Sequence, residues 1–345
     1  VLRLVDANLD RLGEGLRVLE DVSRFLLNDA VLSKRLKVMR HTLVKDLGPL
    51  EQELLLARRV TDDVGAPTKK RMALLHQDLP ALVVANSRRV QESLRVLEEF
   101  SRLSGGQLTG RADSFEKARF EVYDLEQQLL GRFLRYDKAS RLKGLYLVLD
   151  AIALKGRDEV QVAAAAIHGG VKTIQLRDKG RSKAELLEIA RDLKGLCVEK
   201  GVLFVVNDHL DIALAVNADG IHLGQDDLPP AEARRILPIG MLIGCSTHGV
   251  AEAVRAQANG ADYVAIGSMY PTTSKEKYKL VGLETLRRVR LKVSIPLIAI
   301  GGINPTNVPE VMKAGADGVA VIGAVLGADD VEKAARKLVE KMKRI

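Results

Sequence analysis

The chain has 345 residues, 47% hydrophobic and 28% charged, which suits a soluble globular protein with one large domain and one smaller one. Its formal charge of +8 is spread evenly, with 25 Lys+Arg against 21 Asp+Glu up to Leu142 and 28 against 24 beyond it, so no basic tail exists. Aromatics stand at 3% and Trp is absent, so stacking platforms are missing too; nucleic acid is excluded as the expected partner, and modest positive charge suits small anionic molecules better.

No uninterrupted apolar stretch approaches the length of a membrane span, and the amino terminus lacks a basic-then-apolar signal pattern. The expectation is a cytoplasmic protein with no membrane partner. Cys197 and Cys245 are too few for a disulfide framework and have no metal-ligand spacing, so both read as reduced core residues.

Up to about Tyr136 the periodicity is helical. Leu9, Leu12, Leu16, Leu19 and Leu26 make one apolar stripe, with Arg17, Glu20 and Arg24 on a neighbouring face. The stretch from Ala7 to Arg24 recurs 78 residues later from Ala85 to Arg102: Leu16-Arg17-Val18-Leu19-Glu20 returns as Leu94-Arg95-Val96-Leu97-Glu98. Each copy precedes a second helical stretch, Leu32 to Leu56 and Ser114 to Leu134, which predicts two duplicated helical hairpins in a bundle with pseudo-twofold symmetry. The sets Arg17, Glu20, Arg24 and Arg95, Glu98, Arg102 each line one side of a helix. They read either as a solvated salt-bridge ladder or as a cleft in which both sets surround a phosphate. The segment Arg59 to Gly65 between the hairpins reads as a plain linker or as a contributor to a magnesium-phosphate site. Residues 1–138 form the expected all-α domain, Asp137 to Arg141 a short polar linker, and 143–345 a second domain.

That second domain alternates apolar runs with amphipathic segments. The runs are Leu145 to Asp150, Thr173 to Asp178, Leu203 to Asp208, Gly220 to Gln225, Leu242 to Thr247, Tyr263 to Ser268, Pro296 to Gly302 and Gly318 to Ala324. Eight parallel βα units predict a closed (β/α)8 TIM barrel of the α/β class, whose functional groups sit at the carboxyl ends of the strands. Alternation along the second strand sends Gln175, Arg177 and Lys179 to one side, where Arg and Lys can clamp a pyrophosphate; neutralisation of both by Asp178 is the bland alternative. Asp208 and Asp227 end adjacent strands, a pairing that suits one Mg²⁺, although each alone would serve as a helix cap. Thr272 and Ser274 with Lys275 make an oxyanion-binding loop, and Gly302 and Gly323 let backbone N–H groups approach a phosphate. His248, beside a helix start, reads as a proton shuttle or a hydrogen-bonding residue. Two phosphate sites in one mouth imply two phosphorylated substrates.

In combination, Tyr146-Leu147-Val148, Gln175-Leu176-Arg177-Asp178-Lys179, Val206-Asn207-Asp208, His222 through Asp227, Tyr270-Pro271-Thr272 with Lys275, and Gly301-Gly302-Ile303 resemble the thiamine phosphate synthase family from Gly144 to the C-terminus. The resemblance implies joining of hydroxymethylpyrimidine diphosphate to a thiazole phosphate, plain or carboxylated, with release of pyrophosphate. It implies that Gln175, Leu176, Arg177, Asp178, Lys179, Asn207, Ser246 and Lys275 hold the pyrimidine diphosphate, with Arg177, Lys179, Ser246 and Lys275 in catalysis. It further implies Asp208 and Asp227 on Mg²⁺, and Thr272, Thr273, Ser274, Gly302, Ile322 and Gly323 at the thiazole phosphate. The chain departs from the family pattern at Leu149, where Thr is usual, and at Gly323, where Ser is usual, which removes one hydroxyl from the thiazole-phosphate site. A related barrel, the thiazole tautomerase, shares the outline and a His near the fifth-strand end; the diphosphate set argues for the synthase.

The helical part resembles a module fused to some of these synthases, through Asp6-Ala7-Asn8, Glu14 to Asp21, Arg40-His41, Asp63-Val64-Gly65 and Arg95 to Glu99. The resemblance implies hydroxymethylpyrimidine phosphate kinase activity, with ATP as the second cofactor. No glycine-rich ATP loop is present in the sequence, so two other readings stand beside it: a structural element that makes a homodimer through its apolar stripes, and a regulatory binding module.

Overall fold

A computed structural model describes residues 1–27, 29–45, 50–57, 78–103, 108–272 and 279–343. The chain divides into two compact units, Val1–Phe133 and Leu134–Ile345.

The first unit is helical: α1 (Leu2–Asp21), α2 (Ala30–Arg40), α3 (Leu50–Ala57), α4 (Leu79–Ser101) and α5 (Ala112–Ser140). The expected stripe of α1 is buried at Leu9, Leu12, Leu16 and Leu19, and it shares one apolar core with Val90, Leu94 and Leu97 of α4 and Val122, Leu125 and Leu129 of α5. Leu26 departs from the expectation and is largely exposed, because a π-helical turn at Val22–Leu26 shifts the helical phase and turns Val22 and Ser23 inward instead. Asp29 and Asp78 cap α2 and α4 by accepting from backbone N–H groups of the first turns. Gly15 lets α1 and α4 cross closely, since a Cβ there would stand 2.6 Å from Val90 Cγ2.

The duplication is visible atom by atom. Asn8 and Asn86 each donate to the carbonyl four residues back, at 2.8 and 2.9 Å, and Ser23 and Ser101 do the same at 2.7 and 2.6 Å. The Arg/Glu/Arg sets form salt bridges along their helices through half-exposed arginines, Arg17 with Glu20 and Asp21, and Arg95 and Arg102 with Glu98 and Glu99, but the central glutamates Glu20 and Glu98 are buried. Glu20 accepts from Arg40 at 3.0 Å, and Glu98 accepts from Arg119 at 3.1 Å, so each hairpin pairs a buried carboxylate with an arginine of its second helical stretch. Arg95 and Arg102 complete the shell around Glu98, whereas Arg24 lies over the Phe25 ring. The Arg59 to Gly65 segment lies outside the described residues.

The expected linker is helix. The end of α5 continues to Ser140 and belongs to the second unit, where Ala139 and the following Leu142 are buried with the barrel interior. Lys138, within the stretch that reads as polar linker, donates to the Gly240 carbonyl at 3.0 Å, and Arg135 just before it donates to Asp262 at 2.9 Å, so both serve the barrel's lower rim.

The barrel alternates β1 (Gly144–Asp150), α6 (Ala151–Leu154), α7 (Glu159–His168), β2 (Thr173–Arg177), α8 (Lys183–Lys200), β3 (Leu203–Asn207), α9 (Leu210–Ala215), β4 (Gly220–Leu223), α10 (Pro230–Ile236), β5 (Leu242–Thr247), α11 (Val250–Ala258), β6 (Tyr263–Ile266), α12 (Gly282–Arg290), β7 (Leu297–Ile300), α13 (Val308–Lys313), β8 (Gly318–Val321), α14 (Gly323–Leu326) and α15 (Val331–Lys343). All eight expected runs are strands, parallel and in sequence order, and β1 pairs with β8 to close the ring. Outward residues such as Leu147, Ile174 and Val206 pack under the helices, while Tyr146, Val148, Val205, Tyr263 and Ile298 fill the interior.

The lower rim is pinned three times by one device. Asp219, Asp262 and Asp317, each preceding an even-numbered strand, accept from the backbone N–H of Phe204, Ile243 and Leu297 at 3.0, 2.9 and 2.8 Å. A cation from a preceding helix meets each carboxylate: Lys194, Arg234 and Arg290. Cys197 and Cys245 are buried free thiols, and burial pushes each up to about 12, so they remain protonated.

Burial raises the Glu98 carboxyl, but the hydrogen bond from Arg119 and the charges of Arg119, Arg95 and Arg102 outweigh it and hold the group below its ordinary value. Arg119→Ala should therefore destabilise the helical unit by about 2 kcal/mol, less than a fully desolvated pair because Arg95 and Arg102 are half exposed and remain in place. The double change Glu98→Met with Arg119→Leu should recover most of that loss. Since the depressed carboxyl stabilises only while ionised, the wild-type advantage in thermal denaturation should vanish as pH falls through the range below about 4.

Candidate active site

The last inward residues of β1 to β5 meet at the carboxyl end of the barrel. Arg177 ends β2 and forms a close ion pair with Asp150 at the end of β1; the other oxygen of Asp150 caps α6 through Ala153 N–H at 3.1 Å. The Arg177 charge is thus paired in the free protein, by Asp150 and not by Asp178. Asp178 is buried and accepts from Gly180 and Arg181 N–H at 2.8 and 3.1 Å, with the Arg181 guanidinium 3.2 Å away. Its carboxylate shapes the loop after β2. Alternation turns the Leu176 side chain into the outer core under the helices.

Gln175 remains, donating from Nε2 to Asn207 Oδ1 of β3 at 3.1 Å. Lys179 reaches Asp208 at 3.4 Å. Asp208 has a left-handed backbone, φ 60°, which an Asp or Asn tolerates better than most residues. Burial, then the hydrogen bond and charge of Asp227, push the Asp208 carboxyl above its ordinary range, against the opposing Lys179. The two carboxylates expected to share a cation are therefore brought together, and Asp227 is held in place by Gly224 N–H at 2.6 Å. Among the described residues no group of three or more His, Cys, Asp or Glu side chains is arranged to hold a metal ion.

On the opposite side, a cavity of about 530 Å³ extends from β5 to β8 and is lined by Ser246, Ser268, Thr272, Lys279, Gly302 and Gly323 among others. Gly302 has φ 64°, and a Cβ on it would stand 2.4 Å from the Pro271 carbonyl, so only glycine fits this turn. Ile322 also lines the cavity. Thr273, Ser274 and Lys275 lie outside the described residues. His248 lines the cavity and bonds Glu252 at 3.1 Å through Nδ1, the hydrogen-bonding role at a helix start. Two cations and paired carboxylates lie on one flank of the mouth, and a cavity walled by Gly302 and Gly323 lies on the other.

Residues 145–325 match the thiamine monophosphate synthase family, and residues 3–128 match the ThiD2 family. The thiamine-phosphate synthase of Thermosynechococcus vestitus is 41% identical, covering 99% of this chain and 94% of that protein. The chain belongs to the thiamine-phosphate synthase family. A Synechocystis thiamine-phosphate synthase is 39% identical over 100% of this chain and 97% of its own length, so these synthases carry both units. A solved thiamine phosphate pyrophosphorylase from Pyrococcus furiosus, 42% identical, covers 60% of this chain and 98% of its own, with a TM-score of 0.55. The tautomerase alternative is set aside by these relatives.

In this mouth, the sequence assigns no role to Asp150, His222, Ser268 and Lys279. Asp150 was accessible by the rule that found the others, as a polar residue ending an apolar run. Lys279 lies beyond the Ser/Thr-rich loop, and only the fold returns it to the cavity.

The crowded carboxylates generate a stability prediction. A group whose folded pKa is raised binds more protons folded than unfolded, so its contribution worsens as pH rises through the folded value. Asp208→Asn, which keeps the left-handed backbone, should give a melting temperature at pH 7 equal to or above wild type. The gap should close as pH falls toward the ordinary carboxylate range; a clearly lower value at pH 7 would refute the crowding.

Proposed function

We propose that the barrel joins 4-amino-2-methyl-5-hydroxymethylpyrimidine diphosphate to 4-methyl-5-(2-phosphoethyl)thiazole or its carboxylated form, giving thiamine phosphate and pyrophosphate and, from the carboxylated form, CO2 as well. The observation that carries this reading is the pair of polar subsites in one mouth, cationic with two carboxylates on β2 to β4 and glycine-walled on β7 and β8. In this reading Gln175 and Asn207 orient the pyrimidine, while Arg177 and Lys179 take the diphosphate. The exchange is economical for Arg177 and Lys179, because each already sits against an aspartate that the incoming phosphate replaces or supplements.

Asp208 and Asp227 fit Mg²⁺: two crowded carboxylates with a raised proton affinity in one of them form a site with surplus negative charge, and hard cations of this size keep water and phosphate oxygens as their other ligands. Bound there, Mg²⁺ would neutralise charge on the departing diphosphate. The C–O bond to the pyrimidine methylene breaks with its electron pair leaving on pyrophosphate, and the thiazole nitrogen supplies the pair for the new C–N bond. Arg177 and Lys179 stabilise the leaving charge, Ser246 donates a hydrogen bond, and backbone N–H groups around Gly302, Ile322 and Gly323 hold the thiazole phosphate. No protein nucleophile is needed.

For the helical unit, the match to the ThiD2 family supports a phosphoryl-transfer module that makes the pyrimidine diphosphate from its monophosphate with ATP. The test incubates the full chain with Mg²⁺ and thiazole phosphate, plus either pyrimidine diphosphate or pyrimidine monophosphate with ATP, and follows thiamine phosphate by mass. Product from both mixtures is expected. Product from the diphosphate alone removes the kinase, and product from neither removes the synthase reading. Asp208→Asn should lower kcat about 100-fold or more while the protein stays folded.

A further inference from the structure

A chain of polar groups crosses the barrel interior beneath the mouth. The Tyr146 and Tyr263 hydroxyls are 3.1 Å apart, Tyr263 Oη is 3.1 Å from His222 Nδ1, and His222 Nε2 is 2.9 Å from Ser246 Oγ. Around it the interior is apolar, with Val148, Val205, Ala265 and Ile298. The strand register explains how residues from β4 and β6 meet: His222 lies opposite Gly244 of β5, and Gly244 lies opposite Tyr263. A Cβ on Gly244 would stand 2.0 Å from Tyr263 Cζ and 2.3 Å from its hydroxyl, so the bare backbone of β5 is what makes room for the contact.

Among the hydrogen bonds described for these four side chains, one direction of the protons satisfies every group. Tyr146 is buried, and Tyr263 is the one hydrogen-bond partner its hydroxyl has among the described residues. If Ser246 donated to His222 and the order ran inward, the Tyr146 proton would have no acceptor, a situation that folded interiors avoid. Run outward, Tyr146 donates to Tyr263, Tyr263 donates to Nδ1, and Nε2–H donates to Ser246 Oγ, whose own proton is then left for the mouth. Burial pushes the Tyr146 phenol well above its usual value, and burial and the neighbouring Tyr146 do so for Tyr263, so both keep their protons.

We propose that Tyr146, Tyr263 and His222 are positioning residues that lock His222 as its Nε2–H tautomer and hold the Ser246 hydroxyl as an outward hydrogen-bond donor to an anionic oxygen of the substrate. Ser246 is therefore not a nucleophile activated by His222, because the nitrogen that would take its proton already carries one. Gln225 reinforces the placement by donating to the Ser246 carbonyl at 2.5 Å. The identity of that oxygen, on the diphosphate, rests on the proposed synthase reaction; the tautomer is a property of the free protein.

The two parts separate experimentally. In the full chain with ¹⁵N-labelled histidine rings, the His222 signals, assigned by their loss in His222→Gln, should show a protonated Nε2 and a bare Nδ1. Tyr263→Phe, which fills the same space, should mix the tautomers and lower kcat about 10- to 100-fold with little change in KM for the pyrimidine diphosphate. His222→Leu should fall at least as far, and His222→Gln, which restores a donor toward Ser246, should recover most of the activity. A bare Nε2, a doubly protonated ring, or wild-type kcat in Tyr263→Phe overturns the relay. If no variant folds, the wild-type ring signals decide alone, and a protein that makes no thiamine phosphate but shows the expected tautomer fails only the reaction assignment.

Discussion

Side-chain alternation in a closed parallel ring governs this molecule. Every second residue of a strand must face inward, the ring has no edge at which to end, and so the last inward residue of each strand is delivered to one rim. Polar contacts in the mouth then follow strand adjacency: Asp150 with Arg177 across β1 and β2, Gln175 with Asn207 across β2 and β3, His222 with Ser246 across β4 and β5. None of these groups is tolerated there alone. Each has a neighbour of matching polarity one strand away, which is the condition for placing charge and hydroxyls above an apolar interior.

The helical unit obeys the same rule by other means. Helix spacing places a glutamate on the inner side of α1 and again of α4, and each is tolerated because an arginine from the second stretch of its own hairpin reaches it. The copies have since diverged: Glu98 gathers three arginines, while Glu20 is joined by Arg40 and, at 3.9 Å, Arg17. Arg95 and Arg102, which suggest a phosphate cleft when read as a face, surround a buried carboxylate in the free protein.

The fold was highly legible because strand runs and βα spacing are local signals, and all eight strands fall where apolar runs end in polar residues. Asp208 and Asp227 were legible for the same reason, both standing just past strand ends. What escaped depended on one-residue phase or on distant partners. Leu26 lost its place to a π-helical turn, and the Asp178 carboxylate is drawn into its own loop by local N–H groups while Asp150 pairs with Arg177. The polar stretch Asp137 to Ser140 looked like a linker because its partners, Asp219 and Gly240, are about 80 to 100 residues away in sequence. His222 and Tyr263 are 41 residues apart, and only the register through β5 shows that they touch.

Gly244 carries a consequence for how such a chain can vary. Glycine inside a strand ordinarily weakens a sheet, and replacement by a β-branched residue would be the obvious repair. Here the repair is barred as long as position 263 holds an aromatic ring, and shrinking that ring breaks the line of hydrogen bonds to Ser246. The two positions behave as one heritable character: a lineage can keep both or exchange both, but a single step at either one leads through a poorer enzyme.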